Sequence, residues 1–430
     1  MLSQALLSTT LLLSTSASQA ADDPELSPRL FLHIRPEVRT NPSFIADQDD
    51  TMMAVQQAAR VGLDARRGVV SGRADLLGTQ SWGARAGSTS AEPTAFLYES
   101  WVQVGSKSTW LRAGRQELHL LNGLYMSKAP WNPVGRTFDG LRVHHETDSV
   151  RLDAFSVVLR APHPADDDWD NSTLGTTHAG VFASWLGGDA LEPTVFMLAR
   201  ADGPTADDPN QSKWWVAPAT RLLYKADRTT LDAHAMVQIG DDTGTPIRAW
   251  NTIVRARQGL GSGELAPGIG LIFEQDSGHA CDGDPASLEC NSDVIRDMDS
   301  GFGRNHYLRG NADQFNGSNM RDMGLELDSS PWTPDKAHRL TLALQGHLFQ
   351  LVDPQGAWRR NGGTLQGAGW EPGNTDPNVA FEVDALMDWK LGPGVRIDGG
   401  LCVVQPTGVG ARLTGDDAMV YAFARNRFTF

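Results

Sequence analysis

Beyond its N-terminus the sequence has no run of about 18 apolar residues, which excludes membrane-spanning helices. It has only 3 cysteines. Cys281 and Cys290 lie in a polar, Asp-rich stretch and Cys402 stands alone, with no His or second Cys pair at zinc spacing. Catalytic signatures are missing as well. There is no Gly-x-Ser-x-Gly elbow, HExxH helix, P-loop or strand-linked GxGxxG, and Gly259-Leu260-Gly261-Ser262-Gly263 falls in a predicted short turn without a following helix. His144 and His145 alternate across a strand, so they do not ligate one metal together. No enzyme, metal centre or cofactor is expected. Positive charge is short too: 37 Lys and Arg against 52 Asp and Glu leave a net charge of −15, and no nucleic-acid partner is expected.

What is present is turns and alternation. The 44 Gly and 23 Pro point to many turns. From Leu30 to Arg39, Leu30, Leu32, Ile34 and Val38 alternate with His33, Arg35, Glu37 and Arg39, the two-residue period of a strand with one greasy and one ionic face. The pattern returns around 231–239, 340–348 and 379–389. It predicts about 18 strands (16 being the alternative) near 30–39, 53–64, 68–80, 94–104, 109–119, 137–146, 149–159, 177–187, 193–201, 214–225, 229–240, 248–258, 266–275, 319–329, 337–350, 378–391, 394–404 and 417–430.

A soluble sandwich shows the same alternation, so the connections decide. Thr147-Asp148, Gly105–Ser108 and Gly392-Pro393 are tight, whereas 160–176, 202–213, 276–318, 351–377 and 405–416 are long, and the two classes alternate. That parity belongs to a single antiparallel transmembrane β-barrel with short periplasmic turns and long extracellular loops, which is the all-β fold expected. The negative excess collects in the long connections. Asp166, Asp167, Asp168 and Asp170 form one group; Asp282, Asp284, Glu289, Asp293, Asp297 and Asp299 form another without calcium-loop spacing.

Both ends agree. Leu6, Leu7, Leu11, Leu12 and Leu13 followed by Ser18-Gln19-Ala20 read as a secretion signal over 1–20, though no Lys or Arg precedes the apolar core, leaving 21–430 as the barrel. An oxidising compartment lets Cys281 and Cys290 close a loop clip as a disulfide. Met419–Phe430 ends on an aromatic, with Phe428, Ala424, Ala422 and Val420 on one face broken by Asn426. This resembles a terminal strand read by the outer-membrane assembly machinery. Several of the 13 Trp, among them Trp82, Trp110, Trp131, Trp185, Trp214, Trp215, Trp332 and Trp389, fall near strand ends, where interfacial girdles sit.

Four stretches carry a family resemblance: Arg35-Pro36-Glu37 with Asn41; Gly114-Arg115-Gln116-Glu117; Gly135-Arg136-Thr137-Phe138-Asp139-Gly140; and Asn305-His306 with Tyr307, Gly310, Asp313, Asn319, Arg321 and Asp322. Their order and spacing resemble the alginate-export family of outer-membrane proteins. The resemblance implies an 18-stranded monomeric barrel in the outer membrane of a Gram-negative bacterium, surrounded by lipid and lipopolysaccharide, that conducts an anionic polysaccharide outward.

Such a lumen needs Arg to meet sugar carboxylates, tempered by acids so that binding stays weak. Arg35, Arg39, Arg73, Arg115, Arg142 and Arg151 are predicted on lumen faces, with Glu37, Glu117, Glu146 and Asp153 between them. Arg35 with Glu37, and Arg115 with Glu117, are the expected constriction. The same side chains also suit structural ion-pair ladders. Segment 120–136, rich in Gly, Pro and Trp, either folds inward as a plug or stiffens the rim, and 276–318 is the second candidate gate. Two functions stay open beside the exporter: a porin taking up small polar solutes, and a soluble all-β binding module.

Overall fold

The computed structural model describes residues 24–45, 50–83, 93–159, 176–203, 212–261, 265–283, 285–287, 290, 292–299, 301, 303, 306, 308–361 and 363–430. The expected leader, the Asp166–Asp170 group, and Asp284, Glu289, Asn305 and Tyr307 lie outside them.

Eighteen strands follow one another: β1 (Glu25–Thr40), β2 (Met52–Arg67), β3 (Val70–Gly83), β4 (Thr94–Gly105), β5 (Thr109–Gln116), β6 (Phe138–Glu146), β7 (Val150–Leu159), β8 (Thr176–Trp185), β9 (Leu191–Asp202), β10 (Lys213–Ala226), β11 (Thr229–Asp242), β12 (Thr245–Gly259), β13 (Gly268–Asp276), β14 (Met320–Trp332), β15 (His338–Leu351), β16 (Asn378–Gly392), β17 (Val395–Pro406) and β18 (Met419–Thr429). Each pairs antiparallel with its sequence neighbours, and β1 pairs with β18 through Glu37 opposite Phe423 and His33 opposite Arg427. The backbone N–H of Phe430 donates to Leu30 O at 2.9 Å, so the last residue closes the seam. Closure leaves no unpaired edge, the condition for a sheet to cross hydrocarbon.

The period of two places the side chains. On β1 His33, Arg35 and Glu37 are buried while Ile34 points outward, and on β16 Glu382 and Asp384 are buried while Phe381 and Val383 are exposed. Val61, Leu63, Val102, Leu141, Val143, Leu271, Leu325, Leu327 and Leu344 are all exposed on the outer face. An apolar surface this extensive is untenable in water and is the lipid face of a barrel. Trp185, Trp332 and Trp389 stand outward at the short-turn end and Trp82 and Trp214 at the opposite end, whereas Trp110, Trp131 and Trp215 are inside.

Tight turns such as Gly68-Val69, Asp227-Arg228 and Pro393-Gly394 occupy one end; 41–51, 117–137, 277–319, 352–377 and 407–418 occupy the other. The clearest exception to the parity is the two-residue turn Thr243-Gly244 between β11 and β12 at the long-connection end.

Gly114 shows how tightly the wall is drawn. Its φ is +118°, and an added Cβ would lie 2.3 Å from Ser100 O. Gly114→Ala is therefore expected to destabilise the barrel by about 1–3 kcal/mol, measured as a lower temperature for loss of the compact band on unheated gels.

Candidate functional site

The lumen is filled by two of the long connections. Leu118, Leu120, Leu124, Tyr125 and Met126 of segment 117–137 pack among Phe155, Phe182, Phe196, Trp215, Met236 and Ile253 on the inner wall. The Tyr125 hydroxyl donates to Asn251 Oδ1 on β12 at 2.9 Å. On the opposite wall the guanidinium of Arg35 donates to Trp131 O at 2.6 Å, and that of Arg425 to Pro130 O at 2.9 Å. The segment thus crosses from one side of the barrel to the other. Apolar residues that would be misplaced on a rim are satisfied here because the interior offers them an aromatic wall.

Segment 277–319 crosses beside it. Asp299 receives Arg200 and Lys213, each at 3.1 Å, and Trp215 Nε1 at 3.2 Å. Arg255 donates to Leu308 O at 2.6 Å. Arg309 reaches Asp276 at 3.2 Å and also bonds Glu274. The backbone N–H groups of Asn311 and Ala312 donate to Glu382 at 2.7 and 2.9 Å, and Asn311 Nδ2 donates to Asp384 at 2.7 Å. Glu382, Asp384 and Cys402 offer ligand atoms within 4.8 Å of one another, yet both carboxylates serve here as acceptors for the loop. The sulfurs of Cys281 and Cys290 are bonded within this segment.

The two inserted segments meet at Trp131 and His306, whose rings stack with centroids 3.6 Å apart. Arg35 and Arg425 lie over Trp131, with their guanidinium carbons 4.1 and 4.8 Å from its ring centroid. Burial lowers the pKa of His306, against the opposing pull of Asp313. Burial alone would raise Asp313, but its hydrogen bond with His306 at 2.9 Å and the nearby Arg39 hold it down at about 2. In the same way Lys128 and Arg60 overcome the effect of burial and keep the Glu117 carboxyl below the usual range.

Pro130 and Asn132 line two cavities, so the Pro130–Asn132 segment is the wall between them. The cavity toward the long loops is about 570 Å³ and carries Arg136, Lys213 and Arg359 with Asp297 and Asp299. The cavity toward the short turns is about 320 Å³ and carries Arg29, Arg60, Arg73, Lys128 and Arg427 against Asp75 and Glu117, with Phe31 and Tyr98.

Of the residues expected in the lumen, Arg35, Glu37, Arg39, Arg73, Glu117, Arg142 and Arg151 face inward. Arg73 and Glu117 line the inner cavity. Arg35 and Glu37 are buried behind the inserted segment, where Arg35 bonds Gln56 Oε1 at 2.9 Å and Glu37 at 3.1 Å. Arg142 is paired with Asp153 and Arg151 with Glu146. Arg115 is the correction. In register with Asp139 and two residues from the outward pair Ala113–Leu141, it lies on the outer face, bonded bidentately to Asp139 at 2.9 and 3.1 Å. Reversing its charge is expected to leave ion selectivity unchanged while weakening the β5–β6 pair; a shifted reversal potential for Arg115→Glu would refute this placement.

Among the other motif residues, Gly114, Gln116 and Phe138 lie on the inner face, the last two buried, and Asp322 bonds His347 at 3.0 Å. Arg321 is outward, bonded to Gln275. Arg60, Arg112, Lys128, Arg309, Arg425 and Arg427 were not singled out by sequence. Strand parity was the available signal for Arg60, Arg112, Arg425 and Arg427, and nothing in sequence marks Arg309.

In fold the chain is similar to several solved Pseudomonas aeruginosa outer-membrane proteins. OccD3 (OpdP) is 13% identical with a TM-score of 0.63 over 94% of this chain and 91% of that one. OprD is 11% identical with a TM-score of 0.59 over 94% and 95%. OpdK is 11% identical with a TM-score of 0.59 over 94% and 99%. No curated protein matches the chain by sequence. The profile of the family described as alginate export matches residues 15–424. A closed barrel with these neighbours and this match over nearly its whole length places the protein in the outer membrane of a Gram-negative bacterium, and it belongs to the alginate export family.

Proposed function

We propose that the barrel passes an anionic polysaccharide from the periplasm to the exterior and catalyses no reaction. The observation that carries this reading is the short-turn cavity, whose lining presents Arg29, Arg60, Arg73, Lys128 and Arg427 against Asp75 and Glu117, with Asp64, Glu99 and Asp398 pairing Arg29, Arg73 and Arg427 from the surrounding wall. A polyuronate presents a carboxylate on each sugar. Planar guanidinium groups match that geometry, and a cationic mouth concentrates polyanion at the entry. Beyond the Pro130–Asn132 wall, three cations meet two acids (Arg136, Lys213 and Arg359; Asp297 and Asp299). The cations at the lining thus thin from five to three along the path, which favours release over trapping. Arg112, stacked on Trp101 at 3.9 Å and bonded only to the neutral Gln103 among the described residues, extends the basic wall toward the mouth.

The test is reversal potential and block in planar bilayers. Anion preference, with polymannuronate or polyguluronate blocking from the short-turn side, is expected, and Arg60→Glu with Lys128→Glu should abolish both. A second reading, uptake of small polar solutes, is favoured by the division of the lumen into two small cavities. Conductance without ion preference and without polyuronate block would establish that reading instead.

A further inference from the structure

Nearly all strand cations point into the lumen, which makes the exceptions informative. By strand parity, four basic side chains share the outer face: Arg67 at the edge of the β2–β3 turn, and Arg115, Arg248 and Arg321. The last three all lie at the long-connection end. Arg115 is neutralised by Asp139. Arg248 and Arg321, on β12 and β14, are not.

Arg248 is exposed, and its side chain makes no hydrogen bond or ion pair with any described residue. Its backbone is nevertheless fixed, the N–H donating to Ile295 O at 2.8 Å. Trp250, two residues along the same face, is 40% exposed, and Trp214 on β10 is 47% exposed. Among the described residues the guanidinium of Arg321 meets only a neutral partner, Gln275 Oε1 at 2.9 Å. In register across the strands, Thr252, Gln275, Arg321 and Gln350 form one polar row on β12–β15. Below it the outer face returns to Leu271, Phe273, Met323, Leu325 and Leu327. On β10–β14, Asp241 is the one outward acid among the described residues, and its Oδ1 already accepts Gly244 N at 2.8 Å.

An arginine facing lipid costs about 2–4 kcal/mol at the bilayer midplane and about 0–1 near the interface. The row therefore marks the upper boundary of the apolar band, at the headgroups of the outer leaflet. Arg248 and Arg321 are two strands apart, about 10 Å by strand spacing, and offset by four residues, about 13 Å along the strand. Two unneutralised guanidinium forks at this level, with indoles beside one of them, are chemically complementary to phosphate on a lipid headgroup.

We propose that the outer face of β12–β14 is a docking site for a phosphorylated glycolipid of the outer leaflet, with Arg248 and Arg321 taking phosphate oxygens and Trp214 and Trp250 seating the headgroup boundary. The site is independent of what the lumen conducts. The test is native mass spectrometry of the folded barrel in detergent with bisphosphorylated lipid A. Wild type and the lumen variant Arg112→Gln are expected to retain the lipid equally. Arg248→Gln with Arg321→Gln should retain at least tenfold less, with the compact band of the folded barrel intact. Dephosphorylated lipid A should bind wild type at least tenfold more weakly. Equal retention by the double variant, or equal binding of the dephosphorylated lipid, would overturn the site. Equal retention of phosphatidylglycerol would overturn its assignment to a glycolipid.

Discussion

Trp131→Ala should raise single-channel conductance at least twofold, because it removes the side chain on which the divided lumen is built. The indole packs against the guanidinium groups of Arg35 and Arg425, stacks on His306 and meets Phe423 edge-on with centroids 4.7 Å apart. Truncating a buried aromatic of this kind costs about 3–5 kcal/mol. Here the loss falls on the contact between two inserted loops, and the eighteen-stranded ladder is untouched, so the barrel should keep its gel mobility while its passage widens. Anion preference should persist, since the basic side chains of the inner cavity remain. Unchanged conductance would mean that the Pro130–Asn132 wall does not limit flow.

The largest expected loss of order comes from Arg309→Ala. This guanidinium, 4% exposed, is held between Glu274 and Asp276 on β13, each 1% exposed. Removing one member of a buried charge cluster leaves its partners uncompensated and costs about 3–5 kcal/mol. The strands are secured by their neighbours, so the effect should appear as detachment of segment 277–319, read as rapid protease cleavage there and as noisy, larger conductance steps. Adding Glu274→Gln and Asp276→Asn should recover much of the protection. Equal protease resistance of Arg309→Ala and wild type would show that the segment is held without this cluster.

The wall was legible because one rule, a period of two with an ionic inner face, writes each strand twice over. Every predicted strand is found within a few residues of its place. The rule failed where charge appeared on both faces. On β5, Trp110, Arg112, Gly114 and Gln116 form the inner set, but Gly114 removes the side chain that would have shown it, and Arg115 was assigned inward for its charge alone. The inserted segments obey no period. Leu118 reads as a continuation of β5, and its burial is decided by the distant Phe155, Phe182 and Phe196, which sequence proximity does not bring together. Loop insertion is a tertiary event, visible locally only as an unusual density of Gly, Pro and Trp.

The inserted segments also change what kind of mechanical object the wall is. An empty ring of eighteen strands can flatten into an oval with little change in its hydrogen bonds. Segment 277–319 alone is tied to β1 by Arg39, to β9 by Arg200, to β12 by Arg255, to β13 by Arg309 and to β16 by Glu382. These ties act as spokes on a hoop. Any movement that clears the passage must also release spokes, so the bore and the roundness of the barrel change together, and lateral pressure in the membrane becomes coupled to passage through it.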